Sequence, residues 1–400
     1  MIMRISALSK FESTLLAYIR KTYLPVRFLK HGGSSAFTEK DLYFFARGAA
    51  DLSDAFTVSR QDLPKNYLNR KEYRSAYLLY FTLTNLVKVA KCLEEACRII
   101  KLPPSTETIE VLDLGCGPAT ASLACSAFFA EHFPQTVFSF TGMDQNQEIL
   151  KDAKVLFSQL GDQRHRLRLV HDAIHPGSLR RHLSGKTFDI IIAANVLNEM
   201  GGVHHQSALC QSLVDHYLKP NGVLIIVNPA LQKTTRAFME LRDLLKASIL
   251  SPCLHQKACP MRAFNKRDWC HFYLEWRCPE IIRKVDRLLG IKHDYLKMAY
   301  LILEKTPHPH PLPLPSGERV GGEGDLWRVV SSPIKSKGKC EFVLCGEGIL
   351  RHISRLDKDR SETNCRFDRL KRGDIIRISH SVNRIGKSDP VDVVVTFNNP

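Results

Sequence analysis

The sequence predicts an α/β protein: a doubly wound parallel sheet at the centre, a helical region before it and a small β domain after it. Three observations carry that expectation. Between residues 105 and 305, apolar runs of strand length alternate with helix-compatible stretches, as they do where crossover helices wind a parallel sheet. One such strand, Val111-Leu-Asp113-Leu, runs straight into Gly115-Cys-Gly117-Pro and then a helix-compatible run from Ala119 to Phe129. After residue 325 the pattern changes to short β-rich runs.

Residues 1–104 read as a helical region. Tyr77, Leu78, Phe81, Leu83, Leu86, Val89, Ala90 and Leu93 recur near helical spacing within Lys71–Ile100, and Pro103-Pro104 ends that helix. Residues 105–305 form the expected core, with strands at Ile109–Leu114, Val137–Met143, Leu167–Val170, Phe188–Ala194, Gly222–Asn228 and Tyr295–Leu303. Residues 306–324 alternate proline with other residues and turn glycine-rich, which predicts an extended linker. Residues 325–400 form the expected β-rich basic domain, with runs at Trp327–Val330, Cys340–Leu344, Asp374–Ile378 and Val391–Phe397 around the basic stretch Arg366–Arg377.

With 400 residues, 44% hydrophobic and 24% charged, the chain has ordinary globular composition and length for two or three domains. That excludes a disordered polymer and a collagen-like fibre. Basic residues outnumber acidic ones 57 to 41, a net charge of +16, which favours a polyanionic partner. No run approaches the ~20 apolar residues of a membrane helix, so no membrane partner is expected. The first residues lack an apolar signal core and a small-residue cleavage site. They are basic and helix-compatible, as a mitochondrial presequence is, but Glu12 counts against that. A cytoplasmic protein is expected.

Glycine is needed where backbone approaches a ligand closely or turns with unusual dihedrals. A dinucleotide motif would place a third glycine where Thr120 stands, and no Gly-Lys-Ser/Thr follows, which excludes a phosphate-binding P-loop. With Asp113, the stretch resembles the first motif of S-adenosylmethionine-dependent methyltransferases, acidic-x-Gly-x-Gly-x-Gly, Ala119 replacing the last glycine. The second strand ends at Asp144, the third at Asp172 and the fourth at Asn195. The resemblance implies a Rossmann-like methyltransferase core. In it Asp113, Gly115 and Gly117 shape the methionine side, Asp144 holds the ribose, Asp172 meets the adenine edge and Asn195 stands at the rim. The plainer alternative is that Asp144 and Asp172 are helix N-caps. For the methyl acceptor there is neither an Asn-Pro-Pro-aromatic signature nor a Pro-Cys pair. Asn195, Asn198 and Glu199 are the polar candidates, and the catalytic residue stays open.

Of twelve cysteines, Cys92, Cys97, Cys125 and Cys210 sit in apolar helical surroundings and read as core. Ser251-Pro-Cys253, Cys259-Pro260 and Asp268-Trp-Cys270-His are spaced differently. Three thiols so close suit zinc or an iron–sulfur cluster. Cys278, His255, His271, Cys340 and Cys345 compete as fourth ligand.

These cysteine motifs, with Gly115-Cys-Gly117-Pro, Asn228-Pro229, Asp54–Arg60 and Arg74–Phe81, resemble the ribosomal small-subunit methyltransferase-like family, over most of residues 40 to 380. The family has bacterial members, and mitochondrial members that assist small-subunit assembly. The resemblance implies a 4Fe-4S cluster on Cys253, Cys259, Cys270 and Cys345, with Cys340 as the alternative and zinc as the rival metal. Such a cluster would tie the β domain to the core. It also implies binding to the small ribosomal subunit or its precursor through rRNA, and no DNA. Arg60, Lys65, Arg70, Lys71 and Arg74, with Lys335, Lys337, Lys339, Arg351, Arg355, Arg366, Arg369, Lys371 and Arg372, are the basic candidates. The function expected is an S-adenosylmethionine-dependent methyltransferase of the small subunit. A non-catalytic assembly factor and a free-standing small-molecule methyltransferase with zinc are the alternatives.

Overall fold

A computed structural model of the chain describes residues 5–24, 37–57, 66–99, 108–305, 325–378 and 383–398. The linker 306–324, Pro103-Pro104, Arg60 and Lys65 lie outside the described residues. Helices α1 (Ile5–Tyr23) and α2 (Glu39–Thr57) come first, then α3 (Lys71–Ala76), a π-helical turn (Tyr77–Phe81) and α4 (Thr82–Ile99). The long helix expected over Lys71–Ile100 is thus interrupted by one wide turn.

The core sheet has the order β3-β2-β1-β4-β5-β8-β6, with β7 paired to β8. Strands β1 (Ile109–Leu114), β2 (Phe138–Asp144), β3 (Arg166–His171), β4 (Phe188–Ala194) and β5 (Leu218–Asn228) are parallel. Crossovers α5 (Thr120–His132), α6 (Gln147–Leu160), α7 (Pro176–Leu183) and α8 (Val203–Tyr217) join them. Strands β4 and β5 are buried on both faces, so they read as continuous apolar runs. Alternate residues supply the two cores: Val111, Phe140, Ile190 and Ile225 face one, Leu112, Met143, Ile191 and Ile226 the other.

Beyond β5 the sheet stops being parallel. Strand β8 (Tyr295–Glu304) runs antiparallel to β5, β6 (Ser248–Ser251) and β7 (Phe272–Glu275). Helices α9 (Gln232–Leu244), α10 (Pro260–Phe264) and α11 (Glu280–Leu289) fill the long connections. This is the Rossmann-like fold of S-adenosylmethionine-dependent methyltransferases, as the sequence predicts.

The C-terminal sheet has the order β14-β12-β11-β9-β13-β15, with β10 on β11. Its strands are β9 (Asp325–Val329), β10 (Ile334–Ser336), β11 (Lys339–Gly346), β12 (Ile349–Leu356), β13 (Ile375–Ile378), β14 (Arg384–Ile385) and β15 (Asp392–Val395). Trp327, Phe342 and Phe367 centre its core.

Side chains tie this sheet to the methyltransferase-like core. Lys91 pairs with Glu94 at 2.9 Å and Glu95 at 3.3 Å, and Arg328 of β9 approaches Glu95 at 4.0 Å. The Lys91 ammonium lies 4.6 Å from the centre of the Phe397 ring, which packs against Phe272 of β7. The Asn398 amide accepts from the Glu275 N–H and donates to the Tyr273 carbonyl. Neighbouring cations hold the Glu95 carboxyl below its ordinary value against the opposing effect of burial.

Candidate functional site

The strand order reverses between β1 and β4, and crevices form at the carboxyl ends of strands at such a switch point. A cleft of about 260 Å³ opens there. Gly115, Gly117, Asp144, Ala173, Ile174 and Asn195 line it. The N-terminal helical region closes the other side with Tyr67, Leu68 and Tyr77. Arg74 fixes that wall by donating to the Leu68 carbonyl at 2.7 Å, and the Asn146 amide donates to Asn69 at 3.0 Å across the mouth.

The glycine turn is built for close approach. Gly115 has φ +64°, and a Cβ there would lie 2.4 Å from Val196 Cγ2. Gly117 has φ +51°, and its added Cβ would enter the cleft, with Tyr77 Oη 3.9 Å away. Ala119, in the family's last glycine position, also takes a left-handed conformation with φ 61°. A left-handed conformation strains an L-residue, so the alanine is held there at a cost in backbone strain.

Asp113 does not line the cleft. It is buried, and its Oδ2 accepts from the Ser122 N–H at 2.9 Å and the Ser122 hydroxyl at 2.8 Å. Burial pushes its carboxyl up to about 6, against the lowering pull of those bonds. Its place is beneath the start of α5.

Asp144 does line the cleft. Its Oδ2 accepts from the Gly117 N–H at 2.9 Å and its Oδ1 from the Asn146 N–H at 2.9 Å. Burial raises its carboxyl above the ordinary value despite these bonds. The N-cap of α6 is Asn146, which accepts from the Ile149 N–H. Asp172 sits apart from the cleft lining, paired with Arg181 and His182 at 2.9 Å each, while His175 caps α7. Neither aspartate is the cap of the helix after it. Asn195 adopts φ 59° at the rim, its N–H donating to the Val227 carbonyl at 2.7 Å. The amide of Asn198 is buried and finds no hydrogen-bond partner among the described residues, and Glu199 lines the cleft. Tyr67 and Tyr77 were not expected at this site; two tyrosines in a helical region carry no signal of it.

The cysteine region corrects the expected metal. Cys253, Cys259 and Cys270 border a gap of only about 30 Å³. Cys259 packs with Met239, Met261 and Val330, and Cys270 and Cys345 lie against that cluster. The Cys345 thiol is 3.7 Å from His255 Nε2. Burial pushes the Cys259 thiol up to about 11 and raises those of Cys270 and Cys345 as well. Among the described residues no group of three or more His, Cys, Asp or Glu side chains forms a metal site. That overturns the 4Fe-4S cluster and its zinc rival, for which Cys253, Cys259, Cys270 and Cys345 were the expected ligands, with Cys340, Cys278, His255 and His271 as alternatives. Core and β sheet are tied by the Lys91–Glu95–Arg328 group, the Phe397 and Asn398 contacts, and the packing of Val330 and Cys345 against Cys259 and Cys270.

The basic candidates also divide. Arg74 is buried and pairs with Asp152 at 3.2 Å. Arg355 is buried against Asn364 and Asp368, and Arg351 lies over the Trp327 ring. These three serve the interior. Arg366, Arg369, Lys371 and Arg372 line a broad groove of about 1060 Å³ between the two sheets, with Tyr273 and Tyr295. The Arg372 guanidinium lies 5.4 Å from the centre of the Tyr273 ring. No helix among the described residues is long and apolar enough to cross a membrane.

Several solved structures are distantly similar. A putative class I S-adenosylmethionine-dependent methyltransferase from Listeria monocytogenes is 15% identical, over 77% of this chain and 92% of that one, with a TM-score of 0.37. A precorrin-6y C5,15-methyltransferase from Geobacter metallireducens is 14% identical, over 54% and 87%, with a TM-score of 0.33. PKMT2 from Rickettsia typhi, in complex with AdoHcy, is 19% identical over 40% of this chain and only 28% of that one, with a TM-score of 0.25. Likenesses this distant carry no argument about activity. No curated protein matches the chain significantly. A family model described as mitochondrial small ribosomal subunit Rsm22 matches residues 71–377. That description is mitochondrial, which overturns the expectation of a cytoplasmic protein. The match spans well over half of the 400 residues, and the chain belongs to the mitochondrial small ribosomal subunit Rsm22 family.

Proposed function

We propose that the chain binds S-adenosylmethionine in the switch-point cleft and acts on, or helps assemble, the small ribosomal subunit as a methyltransferase. The cleft carries this reading: a glycine turn and a carboxylate from adjacent strand ends face one cavity. Gly117 leaves room that a Cβ would fill, which suits close approach of a ligand to the backbone. Asp144 would accept from ribose hydroxyls, with Ala173 and Ile174 flanking the adenine and Gly115 and Gly117 bordering the methionine end. Asp172, held by Arg181 and His182, would act through the loop that carries Ala173 and Ile174. When bound, the cofactor supplies an electrophilic methyl group.

The groove between the sheets is the proposed rRNA surface. Exposed Arg369 and Lys371 would meet phosphates, and Tyr273 and Tyr295 offer rings for unpaired bases. The test is binding of purified chain to small-subunit rRNA across a salt series. The expected log–log slope is negative, and Arg369→Glu with Lys371→Glu makes it shallower by roughly 0.7–0.9 for each phosphate no longer neutralised. Salt-independent binding, or an unchanged slope in the double variant, would contradict the assignment.

A further inference from the structure

A second cavity, of about 250 Å³, opens beside the cofactor cleft, and Tyr67, Tyr77, Asn195 and Glu199 belong to the walls of both. Four rings line it: Phe56, Tyr67, Tyr77 and Phe81. Each is only half-buried, while Leu78, Leu79 and Tyr80 beside them are buried. The rings brace one another. Phe56 meets Tyr67 and Phe81 edge-on, with centroids 5.8 and 5.4 Å apart. Tyr77 and Phe81 lie 5.6 Å apart with their planes 30° from parallel. The π-helical turn spans Tyr77 to Phe81. A wide turn of this type is uncommon in a helix and is often found at functional sites. Here its first and last residues both face the cavity.

The polar lining is as selective. Lys88, two turns along the helix from Phe81, borders the cavity. Among the described residues its ammonium has no hydrogen bond or ion pair, and burial lowers it to about 8. Lys297 stands nearby, exposed and over the Tyr273 ring. Glu199 and Asn195 lie on the side shared with the cofactor cleft, and Asn85 also lines the wall. The site thus offers ring faces and amides to a flat heterocycle and two ammonium groups to an anion. Its size suits one nucleotide.

We propose that this cavity receives a single unpaired nucleobase of RNA, its ring among Phe56, Tyr67, Tyr77 and Phe81 and its phosphate toward Lys88 and Lys297. The proposal rests on reading the first cleft as the cofactor site, because the shared wall then sets the base beside the cofactor. Binding of the base itself needs no cofactor, so the two readings fail separately.

The experiment is calorimetric titration of the full chain with uridine and adenosine monophosphates, with the parent nucleosides, and separately with S-adenosylhomocysteine. At least one monophosphate is expected to bind. Phe56→Leu, which keeps an apolar side chain and loses the ring, should weaken it about tenfold, in line with the measured worth of base stacking. Lys88→Met should weaken the monophosphate several-fold and leave the nucleoside unchanged. Both variants should bind S-adenosylhomocysteine like the parent. No nucleotide binding at millimolar concentration with normal S-adenosylhomocysteine binding overturns the cavity assignment alone. Nucleotide binding indifferent to both substitutions also overturns it. Loss of S-adenosylhomocysteine binding in the folded parent chain overturns the cofactor reading beneath it.

Discussion

Gly115 gives the most closely worked prediction, because two separate costs meet at one atom. Alanine there would hold φ +64°, which costs an L-residue roughly 1–2 kcal/mol. The new Cβ would also lie 2.4 Å from Val196 Cγ2 and 2.7 Å from Val196 Cβ. Overpacking of that kind costs roughly 1–3 kcal/mol. Gly115→Ala should therefore destabilise the chain by about 2–5 kcal/mol in denaturant unfolding, by lowering the midpoint without changing the slope. Val196→Ala removes the Cγ2 overlap but leaves Val196 Cβ, so it relieves only part of the clash. The double variant should show a favourable coupling of about 1 kcal/mol, typical of touching residues. A Gly115→Ala midpoint equal to the parent's, or strictly additive costs in the pair, would refute the reasoning.

Other positions give independent tests. Ala119→Gly releases the strain at φ 61° and should stabilise the chain by about 1 kcal/mol, less any entropy the glycine adds to the unfolded chain. Asp113, raised from 3.8 to about 6, binds its proton more tightly when folded. Its contribution is full below pH 3.8 and lost as pH rises through about 6, a change of roughly 3 kcal/mol. Asp113→Asn should flatten that decline in a pH series of unfolding midpoints; parallel curves would refute it. Asp152 takes hydrogen bonds from the Tyr18 and Tyr23 hydroxyls and pairs with Arg74 at 3.2 Å, all largely buried. Asp152→Ala leaves the guanidinium only the more exposed Glu148, 3.6 Å away, and strips both tyrosine hydroxyls of their acceptor, so it should cost roughly 2–3 kcal/mol, seen by unfolding and by faster proteolysis of α1.

The parallel half of the fold was legible because its chemistry is local. Strands β4 and β5 are buried on both faces and announce themselves as apolar runs. Strand β12 was not foreseen, because Arg351, His352, Ser354 and Arg355 interrupt its apolar residues, and Arg355 is paired inside the fold by Asn364 and Asp368, outside the strand. The reversed direction of β8 was hidden too, since pairing sense is set by the route between strands. Within the site, Gly115, Gly117, Asp144 and Asn195 line the cleft. Asp113 and Asp172 bind their own neighbours instead. A strand-end acid looks the same in sequence whether it faces a ligand or a serine. The cysteines show the same limit: close spacing brought three of them to one gap, but spacing does not distinguish packed thiols from metal ligands.

The most direct test of the cofactor claim is calorimetric titration of the full chain with S-adenosylhomocysteine, beside Asp144→Asn. Asparagine keeps the shape and loses the carboxylate, and hydrogen bonds to a charged acceptor contribute about 1.5–3 kcal/mol. One site per chain, weakened about tenfold or more by the substitution, is the predicted result. No binding by the folded parent chain, or equal affinity in the variant, would contradict the assignment of this cleft.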